Sequence, residues 1–375
     1  MNLMTPVRIG VIEAKNRVFM APLTRCRATV GTDAPNAMIA EYYSQRSSAG
    51  LIVSEATQVL PTGKGYMGTP GIYSAEQESG WKLVTKAVHD AGGKIIAQLW
   101  HVGAISHPDL QPEGTLPVTA SSGFNPGGTL YTQNGKTERV AARGLELSEV
   151  KAMVAAFKHS SEVALRAGFD GVEIHSANGY LLEQFIRDSS NKRTDEYGGS
   201  VENRLRLTLA IVDAAIDVWG AQRVGIRLSP VSAANNSKPD SNIQATYGAL
   251  IDALAARGIA FVHFIEGNTG GARELAGFDF EGARGTLKKH GVTYIANNKY
   301  TRDLAIETLD ADKADAIAFG VPFISNPDLP HRLDKNTALT QANTKTFYSA
   351  GPGGYTDYPR FCNNPPSTGS NTPVI

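Results

Sequence analysis

The chain has 375 residues, with Lys+Arg and Asp+Glu at 36 each, so its formal net charge is zero. That balance argues against an electrostatic nucleic-acid or anionic-membrane binder. The apolar fraction of 42 % is ordinary for a globular enzyme, and no stretch is apolar for long enough to span a bilayer. The only cysteines, Cys26 and Cys362, form neither a disulfide framework nor a CxxC metal set. No signal-peptide pattern opens the chain, so a reduced, cytoplasmic setting is expected.

Short apolar, β-rich runs alternate along the chain with longer helical patterns. The predicted strands are Val18–Ala21, Leu51–Ala56, Lys94–Leu99, Gly171–His175, Val224–Leu228, Phe261–Ile265, Thr293–Ala296 and Ala316–Phe319. The predicted helices between them are Asn36–Ser48, Glu76–Ala91, Ser148–Ala167, Val201–Val218, Ala245–Arg257, Gly282–His290 and Thr301–Leu309, with a weaker one around Asp328–Leu333. Near-continuous apolar strands interleaved with helices imply a parallel sheet covered on both faces. Eight such units suggest a single (β/α)8 TIM barrel over residues 1–360. A doubly wound sheet would carry a Gly-rich phosphate turn after its first strand; here that turn reads MAPLTR. Residues 103–147, rich in Pro, Gly, Ser and Thr, read as an excursion on the catalytic face after the third strand. The turn-rich tail, 361–375, is expected to be disordered.

Catalytic groups of a barrel stand at the C-terminal ends of its strands. In order, those ends offer Pro22, Leu23 and Thr24; Glu55 and Ala56; Gln98, Trp100 and His101; His175, Asn178 and Tyr180; Arg227; Asn297, Asn298 and Lys299; then Gly320. Amides, hydroxyls and a guanidinium with few carboxylates suit a polar heteroaromatic ring better than a divalent cation. The imidazole, amide and phenol of His175, Asn178 and Tyr180 can grip an electron-rich oxygen and deliver a proton, but cannot themselves supply electrons. The loops ANNKYT and FGVPFISNP, after the seventh and eighth strands, fall where barrels commonly hold phosphate. A phosphate at one edge and a ring across the middle is the shape of a mononucleotide such as FMN.

At these residues the chain resembles the Old Yellow Enzyme family, and within it the bacterial branch of pentaerythritol tetranitrate, N-ethylmaleimide and morphinone reductases. The resemblance runs from about Asn16 to Pro359 through KNRVFMAPLTRCRA, MIAEYYSQRSSAGLIVSEAT, KGYMGTPGIYS, IIAQLWHVG, GFDGVEIHSANGYLLEQFIRDSSNKRTDEYGGSVENR, NPDLP and GYTDYP. It implies an FMN-dependent ene-reductase that takes hydride from NADPH or NADH. The implied substrates are small activated alkenes: enones, enals, maleimides and nitroalkenes. By position, Pro22, Leu23, Thr24, Ala56, Gln98 and Arg227 would hold the flavin. Asn297, Asn298, Lys299, Gly320 and Val321 would line its phosphate. His175 and Asn178 would bind the substrate oxygen, Tyr180 would protonate carbon, and Tyr66, Trp100 and Tyr355 would shape the cavity. No metal, nucleic acid or membrane partner is implied, and monomer and homodimer both stay open.

One departure stands out. Relatives usually carry Arg directly after the strand-eight glycine, facing the phosphate; this chain has Val321, and Lys299 in the neighbouring loop is a candidate replacement for the charge. The strand-six loop, FIEGNTGGARELAGFDFEG, also departs from relatives, and Asn235 stands where some have Gln. Two rival readings stay open: a TIM-barrel hydrolase or lyase using Glu55 and Glu173 as acid and base, and a flavin-binding protein without turnover. The first makes a colourless protein, the second a yellow one that NADPH does not bleach.

Overall fold

The computed structural model describes residues 2–361. The expected disorder of 361–375 therefore lies outside the described residues, Phe361 apart. Eight parallel strands form the barrel: β1 (Val18–Met20), β2 (Ile52–Val53), β3 (Ile95–Trp100), β4 (Val172–Ser176), β5 (Val224–Leu228), β6 (Phe261–Ile265), β7 (Thr293–Asn297) and β8 (Ala316–Phe319). Pairing β8 to β1 and β3 to β4 closes the sheet on itself. The helices α1 (Ala37–Gln45), α2 (Ala75–Asp90), α3 (Leu147–Arg166), α4 (Val201–Trp219), α5 (Ile243–Ala256), α6 (Phe280–Lys289), α7 (Arg302–Asp310) and α8 (Leu329–Lys335) follow the strands in turn. Polar caps fix several starts: Ser74 completes a capping box with Gln77, and Asn36, Ser200, Asp279 and Thr301 each accept a first-turn amide. No helix among the described residues is long and apolar enough to cross a membrane.

The alternation of each strand splits its side chains between two cores. Val172, Ile174, Val224, Ile226, Val262 and Phe264 face outward and pack in the large cluster shared with the helices. Phe19, Leu51, Val53, Ile96, Phe261, Ile295 and Ala316 face inward and fill the lower barrel with Ile9 and Ile12. Those last two come from a hairpin, Val7–Ile9 with Ile12–Ala14, that plugs the barrel floor. Phe261 fills so much of the centre that a Cβ on Gly225 would come within 2.1 Å of its ring. One layer up, the inward positions turn polar: Gln98, Glu173, His175, Arg227, His263 and Asn297 are all buried. The packed apolar floor thus supports a polar ceiling at the strand ends.

Several features lay outside the sequence expectation. They include the floor hairpin, a second hairpin in the excursion (Thr129–Thr132 with Gly135–Glu138), a two-stranded parallel pairing of Val118–Thr119 with Arg143–Gly144, a short strand, Thr57–Gln58, paired with β3, and two short helices, Leu181–Ile186 directly after Tyr180 and Val321–Ser325 in the segment expected as a loop after β8.

Candidate active site

Four aromatic rings meet above the barrel. Trp100 at the end of β3 lies parallel to His175 at the end of β4, with centroids 6.0 Å apart. Tyr180 stands edge-on to both, at 4.7 Å from Trp100 and 5.2 Å from His175. Tyr66 stacks on Trp100 at 6.0 Å, and its hydroxyl meets that of Tyr180 at 3.0 Å. Burial, with Tyr66 second, pushes the Tyr180 phenol well above its usual range, so it stays protonated. Burial, then Arg227, holds His175 well below the usual imidazole range, so the ring is neutral at neutral pH.

The loop carrying Asn178 is fixed from behind. Asn178 has φ +59°, and Gly179 has φ +76° with Ser237 Cβ 2.8 Å from where a Cβ would stand. The Asn178 amide donates to Ser229 Oγ at 2.8 Å, and the Gly179 amide donates to Glu183. Glu183 is fully buried and also accepts from Arg187, Ser229 and Tyr247. Sequence reading missed this network, although the i,i+4 spacing of Glu183 and Arg187 was a visible signal.

Arg227 sits across from His175 in the β4–β5 register and donates to Asn297 Oδ1 at 2.8 Å. Burial lowers its pKa to about 10, which leaves it charged at neutral pH. Gln98 donates to Glu173, and Glu173 also pairs with His263 at 2.8 Å. Glu173 is therefore engaged within the barrel wall. Glu55 has no ion-pair partner among the described residues: its Oε2 accepts the Arg25 amide, its Oε1 is buried without a partner, and burial raises its pKa to about 7.

The remaining predicted residues fall into three groups. Pro22, Leu23 and Thr24 line the end of β1 half-buried, beside buried Ala56. Tyr355 belongs to a C-terminal segment held by Arg25 and Arg27; it stacks on Tyr42 at 4.0 Å, and its hydroxyl has no partner. Asn298 donates to the carbonyls of Glu266 and Asn268, tying together the loops after β6 and β7. Lys299 is exposed, has φ +50° and has no partner among the described residues; Val321, at the neighbouring strand end, is 53 % exposed. The thiol of Cys26 is pushed up to about 12 by burial. A separate cleft of about 410 Å³ beside the excursion includes Lys64 and Asp33, already paired at 2.7 Å, and none of the strand-end residues.

A buried polar atom without a protein partner calls for a water or a ligand, and a cluster of them at one place is a candidate binding site. Trp100 Nε1, His175 Nδ1 and Arg227 Nε are such atoms, at the ends of three adjacent strands. Gln98 Oε1 and Asn178 Nδ2 also lack partners among the described residues. Donors outnumber acceptors, and no cluster of metal ligands occurs among the described residues.

A family model described as NADH:flavin oxidoreductase / NADH oxidase matches residues 2–340. The chain belongs to that family. It is an Old Yellow Enzyme of the morphinone reductase-like branch, an NAD(P)H-dependent flavin oxidoreductase. Flavin oxidoreductase hxnT of Emericella nidulans is 43 % identical, with 95 % of this chain and 97 % of that protein covered. Morphinone reductase superposes with a TM-score of 0.91 at 41 % identity, covering 96 % of this chain and 97 % of that one. The old yellow enzyme homologue of Zymomonas mobilis gives 0.89 at 41 % identity, covering 96 % and 99 %. The TIM-barrel expectation agrees with this family, and the hydrolase reading does not.

Proposed function

We propose that this Old Yellow Enzyme binds FMN across its strand ends and reduces the C=C bond of small activated alkenes, with NADH or NADPH as reductant. The observation that carries the reading is the set of unpaired buried polar atoms at the ends of β3, β4 and β5. Thr24, Ala56 and Gln98 would border the flavin ring, and Arg227 would stand at its electron-rich edge. The loops holding Asn297, Asn298, Lys299, Gly320 and Val321 would take the phosphate, with Lys299 supplying the charge that Val321 lacks. Held there, FMN supplies a hydride, drawn from the nicotinamide, to one carbon of the alkene.

The chain's own residues do the rest. His175, neutral and desolvated, and Asn178 donate to the carbonyl or nitro oxygen and draw electron density from the alkene. Such preorganised donors are worth about 3–4 kcal/mol each in a water-poor site. Tyr180, protonated at all ordinary pH, gives its proton to the carbon next to the activating group. Trp100 and Tyr66 wall the cavity and exclude water, and Tyr355 would close it from the C-terminal segment. A nicotinamide partner is consistent with the tetrahydroNAD complex known for morphinone reductase.

The test is cofactor content. The purified protein should be yellow, and acid or heat should release a flavin identified by mass as FMN. A colourless protein, or one that releases FAD, contradicts the reading.

A further inference from the structure

The loop after β6 reaches the proposed substrate clamp. The Thr269 hydroxyl lies 2.7 Å from Asn178 Oδ1. An Asn amide can point either of its ends at a hydroxyl, so that contact alone does not fix which end faces the cavity. Ser232 narrows the choice. Its side-chain oxygen accepts two backbone N–H groups, from Thr269 at 3.1 Å and Ala234 at 3.2 Å. A hydroxyl oxygen has two acceptor sites and one hydrogen. Both acceptor sites of Ser232 are filled, so Ser232 does not accept from Thr269; its own hydrogen goes to Thr269 Oγ1 at 2.9 Å or to Asn268 Oδ1 at 3.2 Å. The Thr269 hydrogen is then available to Asn178, which faces it with the carbonyl oxygen Oδ1 at 2.7 Å.

The other polar atoms of Asn178 are also engaged. Its amide donates to Ser229, and its carbonyl accepts from Asn235 Nδ2 at 3.0 Å. Only Nδ2 has no partner among the described residues. We propose that Thr269 is a positioning residue, whose hydroxyl locks the Asn178 amide with its NH2 toward the cavity to donate to the substrate's activating oxygen. This role rests on the proposed function. Without the lock the amide can turn and present Oδ1, which repels that oxygen. The sequence of the loop after β6 thereby bears on substrate binding through a residue on β4's loop.

The test compares Thr269→Val, which keeps the shape and removes the hydroxyl, with Thr269→Ser, which keeps the hydroxyl, in wild-type and Asn178→Ala backgrounds. The readouts are flavin content, the kcat and KM for 2-cyclohexenone, and the dissociation constant of unreactive cyclohexanone from the visible absorbance change. Thr269→Val should raise the KM and the dissociation constant about fivefold, one hydrogen bond at a solvent-facing rim. Thr269→Ser should stay within about twofold of wild type. In the Asn178→Ala background Thr269→Val should change nothing further, because a residue acting only through Asn178 has nothing left to position. A Thr269→Val protein equal to wild type, or an undiminished loss in the Asn178→Ala background, overturns the role of Thr269 alone. Flavin-loaded wild type that does not turn over the enone overturns the proposed function and this role with it.

Discussion

The hydroxyls of Tyr66 and Tyr180 lie 3.0 Å apart, inside a wall made by Trp100 and His175. Burial is the main cost of ionising either phenol; Tyr66 adds to it for Tyr180, whereas the hydrogen bond with Tyr180 eases ionisation of Tyr66. A proton donor that never ionises within the working range gives a flat alkaline limb. Tyr180→Phe should therefore lower enone turnover about 10²-fold or more, while bleaching of the flavin by NADH stays close to wild type. Stopped-flow measurement of the two half-reactions separates these effects; an equal loss in both would remove Tyr180 from the proton-donor role.

Buried histidines make stability acid-sensitive. His101 is held near 3 by burial, and His175 also lies well below its ordinary value. Below about pH 6.5 the unfolded chain takes up protons that these rings refuse, so stability should fall as pH drops, by up to about 1.4 kcal/mol per pH unit per ring. Glu55 acts with the opposite sign, since its pKa is raised to about 7. Its neutral form favours the fold below the ordinary carboxylate range, and that contribution is lost as pH rises through about 7. Urea midpoints of wild type and Glu55→Gln across pH 4–8 (a range of about four units) should show the variant free of that decline. Identical slopes would place Glu55 in an ordinary solvated state.

At the proposed phosphate site, Lys299 is a solvent-facing cation, so its contribution is modest. Lys299→Ala should weaken FMN binding about two- to fivefold, read as cofactor fluorescence released on dilution. Val321→Arg should tighten binding and make Lys299→Ala silent. Unchanged affinity in Lys299→Ala with a normal Val321→Arg gain would show that no cation compensates.

Glu183 and Arg187 form a fully buried pair behind the Asn178 loop. Removing one partner strands the other, so Glu183→Ala should cost about 3–5 kcal/mol, seen as a lower denaturant midpoint at unchanged slope. Glu183→Gln keeps an acceptor for the Gly179 amide and should lose less.

The barrel was legible because its signal is periodic. β5, β6 and β8 fall where apolar runs predict them, and the helices begin and end within two or three residues of expectation. The floor hairpin was not legible, since its strands of three residues each are too short to show alternation. The site was legible in its first layer, because His175, Asn178 and Tyr180 are close in sequence and follow a strand. What holds them was not. Ser229, Ser232, Thr269 and Asn235 come from the loops after β5 and β6, and a serine or threonine in a loop gives no sign of which side chain it will meet. Glu55 shows the same limit: its place beside β2 was readable, but the missing partner of Oε1 depends on tertiary packing.

The central claim is that electrons taken from a nicotinamide reach an activated alkene at these strand ends. The most direct measurement mixes NADH-reduced protein anaerobically with 2-cyclohexenone and follows the visible flavin bands. Full return of those bands with one equivalent of cyclohexanone formed is the expected result. A protein that bleaches with NADH and stays bleached would contradict it and leave flavin binding without turnover.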